Sequence, residues 1–313
     1  MKISVVIPLY NKEQYIGRAI ESVLKQTVPS DDIVIVDDGS TDNSADEVEK
    51  FNDPRVRLIR QQNAGEGATR NRGVTESHND LVAFLDADDE WKPNFLLEIQ
   101  RLYRNFPACG AYATSYEIID PGGTKSYPSL EGVPPAPWIG IIPNLFKMLE
   151  LSNPFFPSSI AIPKDVYHDL KGFPEGIPQG ADRMMWVCLG VQYPIAFSPS
   201  SQVLYHREAI NRACNSRFTR DPVTAKLIDA MLENREVPLA LIEDLKDYSA
   251  SLKIQRVYHL VINGRAQEAR ELLGAIGSNR KYRNKILWWL FWSHMPYSFV
   301  KLAQVLRSRY RNL

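Results

Sequence analysis

The stretch 81–91 constrains the chain most, because an apolar run ends there abruptly in carboxylates. Its first five residues are all apolar, which is typical of a strand buried on both faces of a parallel sheet. Asp86, Asp88 and Asp89 follow, where open α/β sheets bind their ligands. Adjacent carboxylates repel one another unless a cation compensates them. The stretch therefore predicts Mg²⁺ or Mn²⁺ shared with substrate phosphates. The alternative is an acidic N-cap for the helix that begins near Pro93, but a cap requires only one aspartate.

Short β-rich runs alternate with helical segments before residue 107, which predicts βαβ units and a parallel sheet. The predicted strands are 3–8, 33–36, 56–59 and 81–85, and the helices between and after them lie within 12–24, 68–74 and 93–104. Further strands are predicted at 111–116, 159–162, 195–197 and 203–206, with a helix at 182–191. From about residue 221 the pattern is helical only. The sequence predicts an α/β domain followed by an all-helical extension, with the boundary near residue 218.

Polar side chains follow several of these strands. Pro8 and Tyr10 follow the first strand, Asp38 the second, and Asp86 and Asp88 the fourth. The carboxyl ends of parallel strands share one edge of the sheet, so these residues can surround a single ligand. A carboxylate without a metal can accept a hydrogen bond from a base or a ribose hydroxyl. The pattern therefore favours a nucleotide, with its diphosphate beside the metal.

The ordered motifs VVIPLYNKEQYI, IVIVDDGSTD, QNAGEGATRNRG, LVAFLDADDEW and GAD resemble those of family 2 glycosyltransferases over roughly residues 1–210. The resemblance implies a GT-A fold, which is a Rossmann-like, mostly parallel sheet flanked by helices. It implies a domain 1–217 with a nucleotide-sugar-binding half, 1–106, and an acceptor-binding half, 107–217. Residues 218–313 form the helical extension. The implied activity is inverting sugar transfer from a nucleotide diphosphate sugar, with a UDP-sugar expected and Mn²⁺ or Mg²⁺ as cofactor.

The resemblance also assigns residues to the site. Asp88 would bind the metal, and His206 would complete its coordination or touch phosphate, although a lone histidine is more often structural. The nucleotide-sugar-binding residues would be Pro8, Leu9, Tyr10, Glu13, Asp38, Gly67, Arg70, Asp86 and Ala87. Two simpler alternatives remain at this point: Asp38 could shape the turn that follows it, and Arg70 could be a solvated helix residue.

Asp182 is the candidate catalytic base that deprotonates the acceptor hydroxyl. A metal-neutralised diphosphate needs no general acid, so one carboxylate suffices, and a positioned base contributes about 10²–10⁴-fold. The family commonly carries a Glu-Asp pair at this point, whereas this chain has Ala181 and Asp182. The missing glutamate puts acceptor positioning in doubt more than the chemistry. The alternative is that Asp182 caps a helix. The Gln-x-x-Arg-Trp signature of processive members is absent after Asp182, which favours transfer of a single sugar.

Charge is uneven along the chain although its net charge is zero. The segment after Glu271 contains eight of the 37 basic residues and none of the 37 acidic ones, which leaves the rest at −8. Basic residues beside the aromatic run 286–292 predict a segment lying on an anionic membrane surface. Packing of this tail on the catalytic domain or on a second subunit of a homodimer is the alternative. The acidic remainder and the nucleotide-sugar site argue against nucleic-acid binding.

Three widely spaced cysteines, no signal peptide and no apolar run of about 18 residues predict a cytoplasmic protein, peripheral on the inner membrane face. The sequence therefore predicts a metal-dependent glycosyltransferase that acts on a hydroxyl of a glycan or lipid-linked glycan in cell-surface polysaccharide synthesis. A polyprenyl-phosphate sugar synthase is one alternative. A non-catalytic sugar-nucleotide-binding protein is the other, and Ala181 is its only support.

Overall fold

The computed structural model describes residues 1–209, 223–277 and 279–301. The chain divides into two compact units, Met1–Arg217 and Phe218–Leu313. The boundary between them lies outside the described residues, as does the basic stretch with Arg307, Arg309 and Arg311 at the end of the predicted tail.

The first unit is built on one mixed sheet. Its strands are β1 Ile3–Leu9, β2 Asp32–Asp37, β3 Val56–Arg60, β4 Leu81–Phe84, β5 Glu90–Trp91, β6 Ala111–Ile119, β7 Lys125–Ser126, β8 Gly140–Ile141, β9 Ile160–Pro163 and β10 Ile195–His206. They lie in the order β3-β2-β1-β4-β9-β6-β10-β5, with β7 beside β6 and β8 beside β10. The four strands β3, β2, β1 and β4 are parallel, as predicted. Their carboxyl ends therefore share one edge of the sheet.

Helices cover both faces of this sheet. They are α1 Ile16–Leu24, α2 Ser44–Glu49, α3 Glu66–Glu76, α4 Phe95–Asn105, α5 Leu145–Leu151, α6 Lys164–Asp169 and α7 Ala181–Gln192. Alternate residues of β1, including Ile3, Val5 and Ile7, pack with α1 and α4 in one core cluster. On the other face α3 approaches β1 closely, since a Cβ at Gly73 would lie 2.3 Å from Val6. Strands buried on both faces explain why their sequences are uniformly apolar.

The second half of this sheet differs from the sequence prediction in two ways. The strands expected at 195–197 and 203–206 are one strand, β10, whose pairing with β6 shifts register twice between Ser198 and Val203. Small polar residues at the shifts hide its continuity in the sequence. Strand β9 runs antiparallel between β4 and β6, an arrangement that periodicity does not reveal.

The second unit is helical in its described residues. Its helices are α8 Val223–Glu233, α9 Ile242–Ile262, α10 Ala266–Ile276 and α11 Arg283–Ser293. Residues of α9, α10 and α11 form a core of their own, which includes Val257, Leu273 and Ile286. None of the helices in the described part of the chain is long and apolar enough to cross a bilayer.

Candidate active site

A buried arginine joins three elements at the carboxyl edge of the sheet. Arg70 of α3 is only 2% exposed, and its Nη2 donates to Asp86 Oδ1 at 2.6 Å and to Glu66 Oε1 at 2.5 Å. Burial lowers the pKa of Arg70, but the charges of Glu66 and Asp86 outweigh it, and Asp182 adds to the upward shift. Arg70 therefore stays charged, and the alternative that it is a solvated helix residue is wrong. Asp86, which follows β4, and Asp182, at the start of α7, both raise the pKa of the Arg70 guanidinium.

Asp88 has its own cationic partner. Lys12 Nζ donates to Asp88 Oδ2 at 2.7 Å, and the two side chains are 11% and 14% exposed. Arg18 Nη2 donates to the Asp88 carbonyl at 2.8 Å, while its Nη1 contacts Glu208 at 2.6 Å. Three cationic side chains, Lys12, Arg18 and Arg70, therefore surround the acidic turn after β4.

Asp89 is the most deeply buried of the three acids that follow β4. Its carboxylate accepts hydrogen bonds from Ser158 Oγ at 2.6 Å and from the His206 backbone N–H at 3.2 Å. Burial raises the pKa of Asp89 well above its usual range, and the charges of Asp88 and Asp86 add to this shift. Asp86, Asp88 and Asp89 thus face three different protein partners. Arg70 and Lys12 offset part of the repulsion among these acids, and the rest appears in the raised pKa of Asp89.

Asp88 and His206 fit a metal ion that is also coordinated by substrate phosphates better than a metal ion that protein side chains hold alone. Among the described residues no group of three or more His, Cys, Asp or Glu side chains is arranged to hold an ion. The His206 Nε2 atom lies 3.2 Å from Glu90 Oε2, and burial lowers the pKa of His206, with the Arg18 charge adding to the shift. A neutral imidazole is the form that binds metals. Mg²⁺ commonly binds one or two protein carboxylates together with substrate phosphates. Asp88 can supply one such carboxylate if its ion pair with Lys12 opens.

Asp38 organises the loop that leads into α3. Its Oδ1 accepts from Gln61 Nε2 at 2.7 Å and from the Ala64 N–H at 2.9 Å, and its Oδ2 accepts from the Gly65 N–H at 2.9 Å. The turn after β2 is instead shaped by Asp37, whose Oδ1 accepts from the Ser40 N–H. The alternative prediction that Asp38 shapes this turn is therefore wrong. Asp38 holds the backbone of residues 61–65, which precedes Arg70 on the same helix.

The residues predicted to contact the nucleotide from β1 and its following turn lie in different environments. Tyr10 is 46% exposed at the strand end and Pro8 is half-buried, whereas Leu9 and Ala87 have their side chains in the core. Leu9 and Ala87 can therefore offer a ligand only their backbone atoms, and the Leu9 carbonyl already accepts from the Asp38 N–H at 2.8 Å. Glu13 accepts from the backbone and side chain of Asn43, so its carboxylate fixes the start of α2.

Gly67 permits a close approach of protein backbone in this structure. A Cβ at this position would lie 2.4 Å from the Pro174 carbonyl oxygen. Glycine is therefore required at position 67 at least in part because the segment before α7 packs against it. This segment also carries Phe173, whose ring lies 5.1 Å from the Arg70 guanidinium carbon.

Asp182 lies in the first turn of α7, one residue after the helix begins. The N-cap residue is Gly180, in a left-handed conformation with φ 92° and no side-chain cap. The alternative prediction that Asp182 caps the helix is therefore wrong, and the charge of Asp182 contributes to the raised pKa of Arg70. A helix N-terminus also favours negative charge at this position.

The sequence model of the family described as glycosyl transferase family 2 matches residues 4–168, which is more than half of the chain. The chain belongs to glycosyltransferase family 2. Its α/β sheet with C-terminal helices is the GT-A type of fold that the sequence predicted.

The curated relatives of this chain match only part of its length. An uncharacterized glycosyltransferase of Nostoc sp. is 45% identical over 113 residues, which is 35% of each chain. The proposed teichuronic acid biosynthesis glycosyltransferase TuaG of Bacillus subtilis is 34% identical over 125 residues, 39% of this chain and 49% of TuaG. The matches thus span about a third and about half of these relatives. The S. aureus TarS 1–349 structure in complex with UDP-GlcNAc shares the fold, with a TM-score of 0.60, 17% identity and coverage of 91% and 92% of the two chains.

Sequence reasoning did not identify several residues that organise this candidate site. They are Lys12, Arg18, Glu66, Glu90 and Ser158. Lys12 and Glu66 lie inside the quoted motifs YNKEQYI and NAGEGATR, so their position in those motifs was the available signal. Ser158 lies 69 residues from Asp89 in sequence, and nothing local to it indicates the contact.

Proposed function

We propose that this glycosyltransferase transfers a single sugar, with inversion, from a nucleotide diphosphate sugar to a hydroxyl group of a glycan or lipid-linked glycan. The observation that carries the proposal is the buried Arg70, which is paired with Asp86 and lies within the electrostatic reach of Asp182. A donor site and a base are thereby linked through one fixed side chain. TarS binds UDP-GlcNAc and UDP, which supports a UDP-sugar as donor.

The cations around the acidic turn support the binding of a diphosphate. Within the described part of the chain the buried Nε atoms of Arg18 and Arg70 have no hydrogen-bond partner. A buried N–H without a partner costs about 1–3 kcal/mol, so an anionic acceptor that reaches these atoms gains affinity. Asp88, with His206 nearby, would hold the divalent metal. When bound, the metal neutralises the charge that develops on the departing diphosphate.

Asp182 supplies the base in this proposal. Its carboxylate takes the proton of the acceptor hydroxyl while the acceptor oxygen forms a bond to the anomeric carbon. The bond from that carbon to the diphosphate breaks on the opposite face, and the nucleoside diphosphate leaves with its electron pair. One carboxylate acting on one face gives inversion of the anomeric centre, and no second carboxylic acid is needed.

The setting that we propose is cell-surface polysaccharide synthesis at the inner face of the membrane. The kinship with TuaG supports this setting, since that protein is named for teichuronic acid biosynthesis. The peripheral location is supported by exposed apolar and basic side chains of the second unit, among them Trp288, Phe291 and Lys285.

The test is Asp182→Asn, measured as UDP release from UDP-GlcNAc and other UDP-sugars with Mn²⁺, with water and with a polyprenyl phosphate as acceptors. We expect release to water to fall about 10²–10⁴-fold, with the donor-induced thermal shift retained. Asp165→Asn is the matched control, because Asp165 is also an acid in the first turn of a helix, α6. Full activity of Asp182→Asn with polyprenyl phosphate would instead indicate a polyprenyl-phosphate sugar synthase. No donor-induced shift with any UDP-sugar in the unmodified protein would contradict the proposal.

A further inference from the structure

Helix α11 is apolar on two sides. One side packs on α9 and α10, where Ile286 is buried and Trp289, Leu290 and Trp292 pack against the core of this unit. The other side carries Leu287, Trp288 and Phe291, which are 56%, 57% and 55% exposed. At about 100° per residue these three positions fall within an arc of roughly 100°. A helix packed on one side only should be polar on the other, so the second apolar side requires an explanation.

Aromatic rings on the exposed side of α11 contact one another. Trp292, half-buried at its margin, contacts both Trp288 and Phe291, with ring centroids 5.8 and 6.0 Å apart. Beyond the helix, Tyr297 and Phe299 are 47% and 63% exposed. Contiguous exposed aromatic groups of this kind mark interaction surfaces. We refer to Leu287, Trp288 and Phe291 as the outer face of α11.

Positive charge flanks the outer face. Arg283 and Lys285 are exposed, and on the helical wheel they lie on either side of the apolar arc at its N-terminal end. Lys301 is also exposed, a short distance along the chain. The sequence contains no acidic residue after Glu271. A surface of tryptophan, phenylalanine and leucine with a basic margin complements the interface of an anionic bilayer, where aromatic rings lie at headgroup level.

We propose that the outer face of α11 docks this chain onto the headgroup region of an anionic lipid bilayer. The helix has 11 residues and lies along the surface, because it is too short to span. Docking by a second copy of the same face is disfavoured, because the face and its margin contain no acidic residue that could pair with Arg283 and Lys285 of the other copy. The inference deepens the proposed membrane-face setting, but it does not depend on sugar transfer.

The test is co-sedimentation of the full-length protein with vesicles of phosphatidylglycerol and phosphatidylcholine, compared with phosphatidylcholine alone. We expect binding to the anionic vesicles that weakens with salt. The double variant Trp288→Ala with Phe291→Ala should bind them about tenfold or more weakly. Leu239→Ala is the matched control, since Leu239 is 89% exposed in the same unit but outside α11, and it should bind normally. The double variant Arg283→Gln with Lys285→Gln should lose roughly thirtyfold on anionic vesicles only.

Unchanged vesicle binding in the Trp288 and Phe291 double variant, or no binding by the unmodified protein, would overturn the proposal. A concentration-dependent dimer that the same double variant abolishes, without lipid, would overturn it in favour of a second copy. All substituted side chains are exposed, so thermal unfolding should be little altered and a folding defect can be recognised. The thermal shift with a UDP-sugar separates the two proposals. A protein that shows this shift but does not bind vesicles refutes only the docking surface.

Discussion

Arg70 holds together the charges of the candidate site, and its removal should be costly. Arg70→Met would leave Asp86 without its partner in a largely buried position, so we expect a loss of about 3–5 kcal/mol in the free energy of unfolding. Arg72→Met is the matched control on the same helix, because the Arg72–Glu76 pair is exposed and should be worth only about 0.2–0.5 kcal/mol. Urea unfolding measures both variants. Equal losses in the two would show that the Arg70 pairs contribute little.

Asp32, at the start of β2, should make stability depend on acid pH. Burial raises its pKa, but hydrogen bonds from Ser4 Oγ, the His78 N–H and Arg57 outweigh that effect, so the pKa lies below its ordinary value. A lowered pKa in the folded state contributes stability above the unfolded-state pKa of about 3.9, and this stability is lost as the pH falls through the folded value.

We therefore expect Asp32→Asn to reduce the free energy of unfolding at neutral pH by about 1–3 kcal/mol and to flatten its decline below about pH 4. Asp31→Asn is the control. The pKa of Asp31 is also lowered, mainly by Lys2, but both side chains of that pair are exposed and solvent screens them. The measurement is denaturant unfolding between about pH 3 and 7. An unchanged acid slope in Asp32→Asn would contradict the expectation.

At the scale of elements, the packing of the first turn of α3 depends on Gly67. Gly67→Ala places a methyl group 2.4 Å from the Pro174 carbonyl, so the helix or the segment before α7 must move, at a cost of about 1–3 kcal/mol. Movement of α3 displaces Arg70, so donor binding should weaken as well. Gly17→Ala in α1 is the control, since its new Cβ would meet no atom within 4 Å, and it should stabilise by about 0.5–1 kcal/mol. Thermal unfolding with and without a UDP-sugar measures both effects.

The elements that the sequence predicted well are those with a local cause. Strand β4 is recognisable because burial on both faces requires an unbroken apolar run, and α3 begins after the glycine-rich loop as expected. The pairing partners could not be predicted in this way. Lys12 meets Asp88 across 76 residues of sequence, and β9 is inserted antiparallel beside β4. These contacts depend on the tertiary path of the chain, on which hydrophobic periodicity carries no information.

Among the site residues, too, features with a local cause could be predicted from the sequence, whereas contacts between distant residues could not. Asp38 was recognised from its place at a strand end, but the structure shows that its oxygens organise residues 61–65. The sequence predicts a metal at the cluster of acids after β4 because only acids are adjacent there in the sequence. The compensating side chains, Arg70 and Lys12, come from α3 and from the turn before α1. Charge balance is a property of the folded site, and its cations can come from distant parts of the chain.

At the scale of the whole molecule, each unit contains an apolar cluster of its own. In the described residues one such cluster packs around the sheet of the first unit, and another is formed by α9, α10 and α11 of the second. All the residues that we propose for donor binding and catalysis lie in the first unit, whereas the outer face of α11 lies in the second. The two proposals therefore assign chemistry and membrane docking to different units of the chain.

We therefore expect a fragment of residues 1–217 to unfold cooperatively and to retain the donor-induced thermal shift, while losing the affinity for anionic vesicles. A ligand at 100 times its dissociation constant stabilises by about 2.7 kcal/mol, so the shift in the fragment should match that of the full chain. Calorimetry and vesicle sedimentation on both proteins check this. A folded fragment without a donor-induced shift would show that the donor site needs the second unit. A fragment that still binds vesicles would locate the membrane-docking surface in the sheet domain, so both measurements are required to assign the two functions.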